Sequence, residues 1–369
     1  MQVNGNPFRS IWLSQEKPEV LVIDQTLLPF TFKVRTLSTL SDTALAIREM
    51  VVRGAPLIGA TAACGLFLAA VRNASETHLQ HAYRELLSSR PTAVNLRWAL
   101  DRMLPLLLEV PESGRADLAR ELAQRICDED VATNSAIGNH GLTLISKAAK
   151  ACPHRPVNIL THCNAGWLAT VDWGTALAPI FKAHDQGILV HVWVDETRPR
   201  NQGASLTAWE LAAHGVPHTV IADNAGGHLM QHGEVDLCIV GSDRTTRSGD
   251  VCNKIGTYLK ALAAHDNRIP FYAALPSSTI DWKISDGVRD IPIEERAEEE
   301  VTHICGHDSE AGKLVRVRII PDGSSAANPA FDVTPRKFVD GIITEKGIAK
   351  ASEDDLVALF PQDAETQKI

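Results

Sequence analysis

The chain has 369 residues, of which 44% are hydrophobic and 22% are charged, a composition typical of an ordinary globular protein. Such a length predicts two domains, because a single core stops growing beyond roughly 250–300 residues. The formal net charge of −9 excludes a global basic field for nucleic acid or an anionic membrane surface, so any phosphate group must be bound locally.

Residues 1–150 predict a small β-sheet followed by a helical bundle. β-rich pieces come first, and these are IWLS, VLVID and FTFKV. Ser41-Asp42 is the expected cap of a helix through LAIREMVV, and Pro56 is placed to start the next helix, LIGATAACGLFLAAV. Further amphipathic helices are predicted at 77–88, 95–109 and 115–149.

Residues 151–369 predict a Rossmann-like α/β domain, so the fold class is α/β. The expected strands are VNILTH, ILVHVWVDE, HTVIAD, VDLCIVGSD and PFYAALP. The expected helices between them are ALAPIFKAHD, LTAWELAAHG, NAGGHLMQ and KIGTYLKALAAH. This alternation indicates a buried parallel sheet covered by helices. Residues 284–318 are charged and irregular and predict an excursion, 343–348 predict a last strand or turn, and the acidic tail from Ala351 predicts a terminal helix with a frayed end.

The compartment follows from the cysteines and the absence of membrane signals. No apolar run reaches the roughly 20 residues that span a bilayer, and the start MQVNGNPFRS lacks the layout of a secretory signal. The seven cysteines are widely spread without a CxxC pair, which favours free thiols in a reducing compartment. We expect a cytoplasmic protein.

Polar residues follow each predicted strand of the second domain. They are His162-Cys163-Asn164, Asp195 to Arg198, Asp223-Asn224, Ser242-Asp243-Arg244 and Pro276 to Ser278. In an open parallel sheet, ligands bind outside the carboxyl ends of the strands. These segments therefore predict one shared rim that carries a thiol, carboxylates, arginines and hydroxyls.

Cys163 and Asp243 are the two chemical groups that stand out on this rim. A thiol at a strand-to-helix turn is open to a ligand and is tuned by neighbouring backbone N–H groups. An acid in an enclosed site has a raised pKa and donates a proton. The alternatives are a buried structural cysteine and an aspartate that caps a helix.

A phosphate site is predicted in the first domain, at VRGAPLIGAT. Arg53 precedes Gly54-Ala55, whose small side chains leave backbone N–H groups accessible at a helix start that attracts anions. The alternative is a plain loop before a helix. Arg90 offers a second cation, and Asn253-Lys254 are expected at the start of a helix, where a cap and a surface lysine are the alternative.

Several signatures are missing, and their absence narrows the chemistry. No GxGxxG follows the first strand of the α/β domain, and neither a P-loop nor a GxSxG elbow occurs. HICGH alternates three soft ligands without a supporting fourth, so no metal is predicted there. The residues favour a cofactor-free α/β enzyme that acts on a small phosphorylated substrate.

Seven longer motifs carry a resemblance to a known family. They are RGAPLIGATAACGL, SRPTAVNLRWALDRM, THCNAGWLAT with GTALAPI, ETRPRNQGASLTAWEL, VGSDRTTRSGDVCNKIGTY, PFYAALPSSTID and NPAFDVTPRKFVDGIITEKGI. In this order, from about residue 50 to 348, the chain resembles the methylthioribose-1-phosphate isomerases of methionine salvage. The wider superfamily includes ribose-1,5-bisphosphate isomerases and regulatory subunits of a translation initiation factor's exchange factor. The thiol and the acid favour an isomerase over a regulatory subunit.

The resemblance implies an aldose-to-ketose conversion of 5-methylthioribose 1-phosphate without a cofactor. Asp243 is implied as the proton donor and Cys163 as its partner, either as a base for the C2 proton or as a stabiliser of the transition state, with a hydride shift as the rival route. The implied substrate contacts are Arg53, Gly54, Ala55, Arg90, Gln202, Asn253 and Lys254. The family is commonly homodimeric.

Two questions stay open at this level. Ser205 stands where the family usually has arginine, so the preferred 5-substituent is methylthio, 5-deoxy or a second phosphate. A regulatory module that senses a sugar phosphate or nucleotide without turning it over is the alternative from another functional class.

Overall fold

The N-terminal part combines short antiparallel strands with long helices in the computed structural model, which describes residues 1–3 and 5–362. The strands are β1 (Gln2–Val3), β2 (Asn6–Pro7), β3 (Ile11–Leu13), β4 (Val20–Ile23) and β5 (Val34–Leu37). Strands β3, β4 and β5 form one antiparallel sheet. The helices are α1 (Leu40–Arg48), α2 (Ala55–Arg72), α3 (Glu76–Ser89), α4 (Val94–Glu109) and α5 (Arg115–Ala151).

Two local predictions in this part are wrong. The chain at FTFKV turns, with the Thr31 N–H donating to the Leu27 carbonyl at 2.9 Å, so extended pairing starts only at Val34 opposite Ile23. The cap of α1 is Thr39 instead of Ser41-Asp42. Asp42 lies at the third helical position and returns a hydrogen bond to the cap, which completes a capping box.

Helix α2 is the centre of the N-terminal core. By length and composition alone it is apolar enough to cross a membrane, but 83% of it is buried inside the protein. It packs against α1, α3, α4 and α5. Such a helix is the core helix of a bundle, and its N-terminus is thereby held rigidly at the edge of the bundle.

The second part is built on a seven-stranded sheet with helices on its faces. The strands are β6 (Val157–Thr161), β7 (Val190–Asp195), β8 (His218–Ile221), β9 (Leu237–Val240), β10 (Arg244–Thr246), β11 (Val251–Lys254), β12 (Phe271–Ala274), β13 (Ile280–Asp281), β14 (His303–Asp308), β15 (Lys313–Arg318), β16 (Phe331–Thr334), β17 (Gly341–Thr344) and β18 (Gly347–Ala349). The helices are α6 (Ala178–Asp185), α7 (Ala208–His214), α8 (Ala225–Gln231), α9 (Thr257–Asp266), α10 (Gly287–Asp290), α11 (Glu299–Thr302) and α12 (Glu353–Leu359).

The sheet order is β18-β17-β12-β9-β6-β7-β8. All neighbours are parallel except β18, which pairs antiparallel with β17. The chain moves outward from β6 to β8 on one side and from β9 to β17 on the other, so the order reverses between β6 and β9. The predicted α/β class, with a small sheet and helices before a Rossmann-like sheet, is confirmed.

Helix α5 joins the two cores. Its first half contributes Ala119 and Ile126 to the N-terminal core, and its second half contributes Ile137 and Ile145 to the core under the parallel sheet. The division into domains of residues 1–150 and 151–369 stays a prediction, with one continuous helix spanning both cores.

Three segments of the second part differ from the prediction or refine it. Asn253-Lys254 do not start a helix: they end β11, which pairs with β10 and β16, and α9 begins only at Thr257, after Gly256 with its φ of +102°. The excursion 284–318 contains an ordered hairpin, β14 with β15. ITEKGI forms strands β17 and β18, and the acidic tail contains α12, while its predicted frayed end from residue 363 lies outside the described residues.

Candidate active site

The candidate site lies where the sheet order reverses. Cys163 follows the carboxyl end of β6, and Asp243 follows the carboxyl end of β9, the neighbouring strand. Adjacent loops diverge at such a switch point and leave a crevice for a ligand. The thiol and the acid singled out by the sequence thus stand on the two sides of this crevice.

The backbone around Cys163 is fixed by its neighbours. Its φ of +66° is unusual for a residue with a side chain. Its N–H donates to Thr197 Oγ1 at 2.7 Å, and its carbonyl accepts the Thr207 hydroxyl at 2.7 Å. The thiol donates to Gln202 Oε1 at 3.3 Å. These contacts hold Cys163 in a conformation that presents its sulfur beside Gln202.

Thr197 is itself held by a buried ionic cluster. Its N–H donates to the Asp223 carboxylate at 2.7 Å. His162 and Lys260 both contact Asp195 Oδ2, at 2.8 and 3.2 Å. Ligand atoms of His162, Asp195 and Asp223 lie within 4.8 Å of one another and could hold a metal, but the Lys260 ammonium already supplies a cation to this cluster.

Arg53 reaches the crevice from the start of α2. Its Nη1 donates to Asn164 Oδ1 and its Nη2 donates to the Asn164 carbonyl at 2.6 Å. Gly54 has a φ of +92°, and a Cβ there would overlap the backbone of Ala169. The glycine therefore permits the close approach that places the α2 N-terminus against the loop after β6.

The carboxylate of Glu210, in the first turn of α7, organises this same loop. Glu210 is fully buried and accepts hydrogen bonds from Asn164 Nδ2 at 2.8 Å, Trp167 N at 2.8 Å and Leu168 N at 3.1 Å. Glu210 was not predicted from the sequence. The available signal was a charged residue between the apolar Trp209 and Leu211 of a predicted helix.

Burial and nearby cations compete at the two chemical groups. Burial raises the pKa of Asp243, while Lys254, Arg53 and Arg90 oppose the rise. Burial also raises the pKa of the Cys163 thiol, against Arg53 and Lys254. The pKa of Lys254 is lowered by burial, and its ammonium stacks over the Phe331 ring at 4.5 Å. The arrangement can therefore provide a neutral thiol and a protonated carboxylic acid beside fixed positive charges.

Five of the predicted site residues line two cavities, whereas Cys163, Gly54, Asn253 and Lys254 line neither of them. Arg53 and Gln202 line the larger one, of about 570 Å³, which is mostly apolar and is covered by the hairpin β14–β15. Ala55, Arg90 and Asp243 line a smaller one, of about 30 Å³. The hairpin's role in covering the site was not visible in the sequence, because its charged, alternating residues indicated only an irregular excursion.

The two remaining predicted contacts differ in their placement. Lys254 lies close enough to affect the pKa of both Cys163 and Asp243. The Asn253 amide donates to Thr257 Oγ1 at 3.0 Å, within its own segment, and lines neither cavity. Arg90 pairs with Glu294 at 3.1 Å, and Glu294, like Glu210, was not predicted from the sequence.

Residues 51–351 match the family described as the Initiation factor 2 subunit family. A methylthioribose-1-phosphate isomerase of Methylorubrum extorquens is 65% identical over 362 residues, which cover 98% of this chain and 99% of the relative. A methylthioribose-1-phosphate isomerase of Paramagnetospirillum magneticum is 61% identical over 364 residues, covering 99% of this chain and all of the relative.

Solved structures of related proteins also resemble this chain, at lower sequence identity. The crystal structure of 5-methylthioribose 1-phosphate isomerase from Pyrococcus horikoshii is 42% identical, covers 96% of both chains and superposes with a TM-score of 0.81. A structure described as translation initiation factor eIF-2B, subunit delta, from A. fulgidus is 38% identical, covers 96% of this chain and 99% of that chain, and has a TM-score of 0.78. Because both share the fold, the fold alone does not separate an isomerase from a regulatory subunit.

Proposed function

The chain belongs to the Initiation factor 2 subunit family and, within it, to the methylthioribose-1-phosphate isomerases, and from this premise we propose that it converts 5-methylthioribose 1-phosphate into 5-methylthioribulose 1-phosphate. The chain is an enzyme, an isomerase of methionine salvage. The reaction opens the furanose ring and converts an aldose phosphate into a ketose phosphate, with no net gain or loss of atoms.

The observation that carries the proposal is the placement of a buried thiol and a half-buried acid on the two sides of the switch point. The anomeric carbon bears the phosphate ester, so the ring oxygen needs a proton before the ring opens. Asp243 supplies it, and the raised pKa of its carboxyl suits a proton donor.

Cys163 acts at the next step, between C1 and C2 of the opened sugar. Either it removes the C2 proton as a thiolate, or it stays neutral and stabilises a hydride shift from C2 to C1. Deuterium placed at C2 separates these routes, because a base exchanges it with solvent and a hydride shift carries it to C1.

The proposed binding residues assign the phosphate and the methylthio group of the substrate to different parts of the site. Arg53 and the N-terminus of α2, with Gly54 and Ala55, bind the phosphate. The apolar wall of the larger cavity, which includes Met50, Leu206 and Ile304, takes the methylthio group. Arg200 in the same cavity is paired with Glu300 at 2.8 Å and is therefore not free for a second phosphate.

The finer assignments belong to the same proposal. Residues 1–150 supply Arg53, Ala55 and Arg90, with residues 151–369 as the catalytic domain, and Gln202, Asn253 and Lys254 complete the substrate contacts. The enzyme is a cytoplasmic homodimer. Its free cysteines support a reducing compartment, and sedimentation analysis measures the dimer.

The decisive experiment incubates the purified protein, without metal or nucleotide, with 5-methylthioribose 1-phosphate and follows ketose formation by NMR. Parallel reactions with 5-deoxyribose 1-phosphate and ribose 1,5-bisphosphate rank the substrates by kcat/KM. We expect the methylthio sugar to rank first. Clear binding without turnover of any of the three would instead support a sensing module.

Two variants test the residue roles. Cys163→Ser and Asp243→Asn should each lower kcat by at least about a thousandfold, because each removes a group that acts on reacting atoms. Cys238→Ser is the matched control and should keep a near-normal kcat, since Cys238 is also a buried cysteine but lies inside β9 and not in the loops at the crevice. Near-normal rates in both site variants would refute the assigned roles.

A further inference from the structure

We propose that Glu210 is a positioning residue that holds Arg53 through the Asn164 amide and leaves the positive charge of Arg53 free for the substrate's phosphate. This inference rests on the proposed function in one respect, namely that Arg53 binds that phosphate. It adds a residue that does not touch the substrate but determines where the phosphate-binding cation stands.

The orientation of the Asn164 amide is fixed from both ends. Arg53 has only donors, so Asn164 Oδ1 must face it. Glu210 Oε1 already accepts the Leu168 N–H at 3.1 Å, so Asn164 Nδ2 must face this oxygen, and the observed separation is 2.8 Å. The amide therefore links a buried carboxylate to a buried guanidinium without placing the two charges in direct contact.

The positive charge of Arg53 is not neutralised by a carboxylate, because its hydrogen-bond partner is the neutral Asn164. Within residues 1–3 and 5–362, Arg53 makes no ion pair with a carboxylate, and both of its Nη atoms are held by Asn164. Arg90 differs, because Glu294 lies 3.1 Å from its Nη2 and Arg296 shares that carboxylate. Of these two arginines, Arg53 is the one whose charge is left for an anionic ligand.

Glu210 has the properties that such a support needs. Its side chain is inaccessible to solvent, and it also accepts the N–H groups of Trp167 and Leu168, so it fixes the loop that carries Asn164. A Cβ at Gly166 would overlap Glu210 Oε2, so the loop wraps directly over the carboxylate. Burial raises the pKa of Glu210 to about 7, and the hydrogen bonds from Asn164, Leu168 and Trp167, together with the charge of Arg53, oppose the rise.

The test is a double-mutant cycle of Glu210→Gln and Arg53→Lys, read on KM, kcat and the Kd of inorganic phosphate from calorimetry. We expect Glu210→Gln to raise KM and the phosphate Kd about tenfold or more, with a smaller loss in kcat. Arg53→Lys should then cost much less in the Glu210→Gln background than in the parent. Strict additivity, or an unchanged phosphate Kd in Glu210→Gln, would overturn the proposal.

Asp130→Asn is the matched control. Asp130 is also a carboxyl whose pKa is raised by burial, and it accepts one backbone N–H, from Val171 at 2.7 Å, but it contacts neither Asn164 nor Arg53. This variant should leave the phosphate Kd within about twofold and combine additively with Arg53→Lys. A tenfold loss of phosphate affinity in Asp130→Asn would mean that any buried carboxylate change disturbs the site, and would overturn the specific role of Glu210.

A second variant keeps the test meaningful if Glu210→Gln folds poorly. The Asn164→Asp/Glu210→Gln double variant keeps the total charge and the link between the two side chains, but moves the carboxylate directly onto Arg53. Because that contact neutralises Arg53, folding should recover while phosphate affinity stays low. Recovery of phosphate affinity as well would refute the proposal. Phosphate binding is read without turnover, so failure of this inference is distinguishable from failure of the isomerase activity.

Discussion

The Cys163 thiol is governed by two opposed influences, burial and the charges of Arg53 and Lys254. The effect of burial is the larger one, so the pKa of the Cys163 thiol lies above the ordinary cysteine value and the thiolate is scarce at neutral pH. Alkylation of Cys163 by iodoacetamide should therefore have its pH midpoint above the ordinary value of about 8.5. Lys254→Met should move that midpoint further up, because it removes a charge that favours the thiolate. Mass spectrometry of the labelled peptide measures both midpoints.

Cys305 provides the internal reference for this measurement, because it is the exposed cysteine of the described residues. It should react first at neutral pH, and its midpoint should not respond to Lys254→Met. A Cys163 midpoint below that of Cys305 would show that the cations win over burial, and Cys163 would then be an activated nucleophile.

At the residue scale, the sequence located the proposed chemical groups better than the groups that support them. Cys163 and Asp243 follow strands directly, so the rule for ligand sites at strand ends located them. Glu210 and Glu294 act through tertiary contacts with segments far away in the chain, and residue spacing carries no signal for such contacts. Thr197 lies in the predicted rim segment Asp195 to Arg198, but its contact with the Cys163 N–H was not predicted.

Among the elements, the hairpin β14–β15 allows a sharp comparison of two side chains. Ile304 and Val317 are directly opposite each other in its ladder. Ile304 lines the larger cavity, whereas Val317 does not and is 47% exposed. Ile304→Ala should lower kcat/KM for the methylthio sugar by about 3- to 10-fold, through lost apolar contact with the 5-substituent.

Val317→Ala is the matched control and should stay within about twofold of the parent in the same assay. Thermal unfolding should change little in either variant, because the hairpin supplies no residue to the N-terminal core or to the apolar cores that pack on the parallel sheet. Equal losses of kcat/KM in both variants would mean that the hairpin acts as a whole and that Ile304 does not contact the substrate.

The misplaced helix start at Asn253-Lys254 shows a limit of prediction at this scale. All four residues of β11 are buried, and their strand character comes from pairing with β16, which lies some eighty residues later. Local pattern favoured the helix because the following segment from Thr257 is helical. Long periodic elements such as α2 and α5 were predictable from sequence, since their burial pattern is contained within each element.

For the whole molecule, alternation of strands and helices was sufficient to predict the parallel sheet and the rim that carries the site. The small sheet β13-β10-β11-β16 was not predictable in the same way. It joins short strands from three separate stretches of the chain, and one of them has only two residues. Arg244, Cys252 and Phe331 of this sheet line the small cavity beside Asp243, so the shape of that cavity depends on long-range assembly that sequence patterns do not describe.

Global stability should depend on pH through buried carboxyls. Burial raises the pKa of Asp130 to about 7, and burial likewise raises that of Glu210 to about 7. An unfolded aspartate titrates near 4, so between about pH 4 and 7 the folded chain holds protons that the unfolded chain has released. The free energy of unfolding must then fall as the pH rises through this window. Glu300, whose pKa is lowered to about 2, acts in the opposite sense but only at more acidic pH.

Asp130→Asn removes one of these titrations and isolates its effect. The amide oxygen can still accept the Val171 N–H, but no proton is released at high pH. The Tm of the variant minus that of the parent should therefore become steadily more positive between about pH 5 and pH 8, as measured by circular dichroism. A difference that stays constant across this range would show that Asp130 is ionised throughout in the folded protein, and that its hydrogen bonds outweigh its burial.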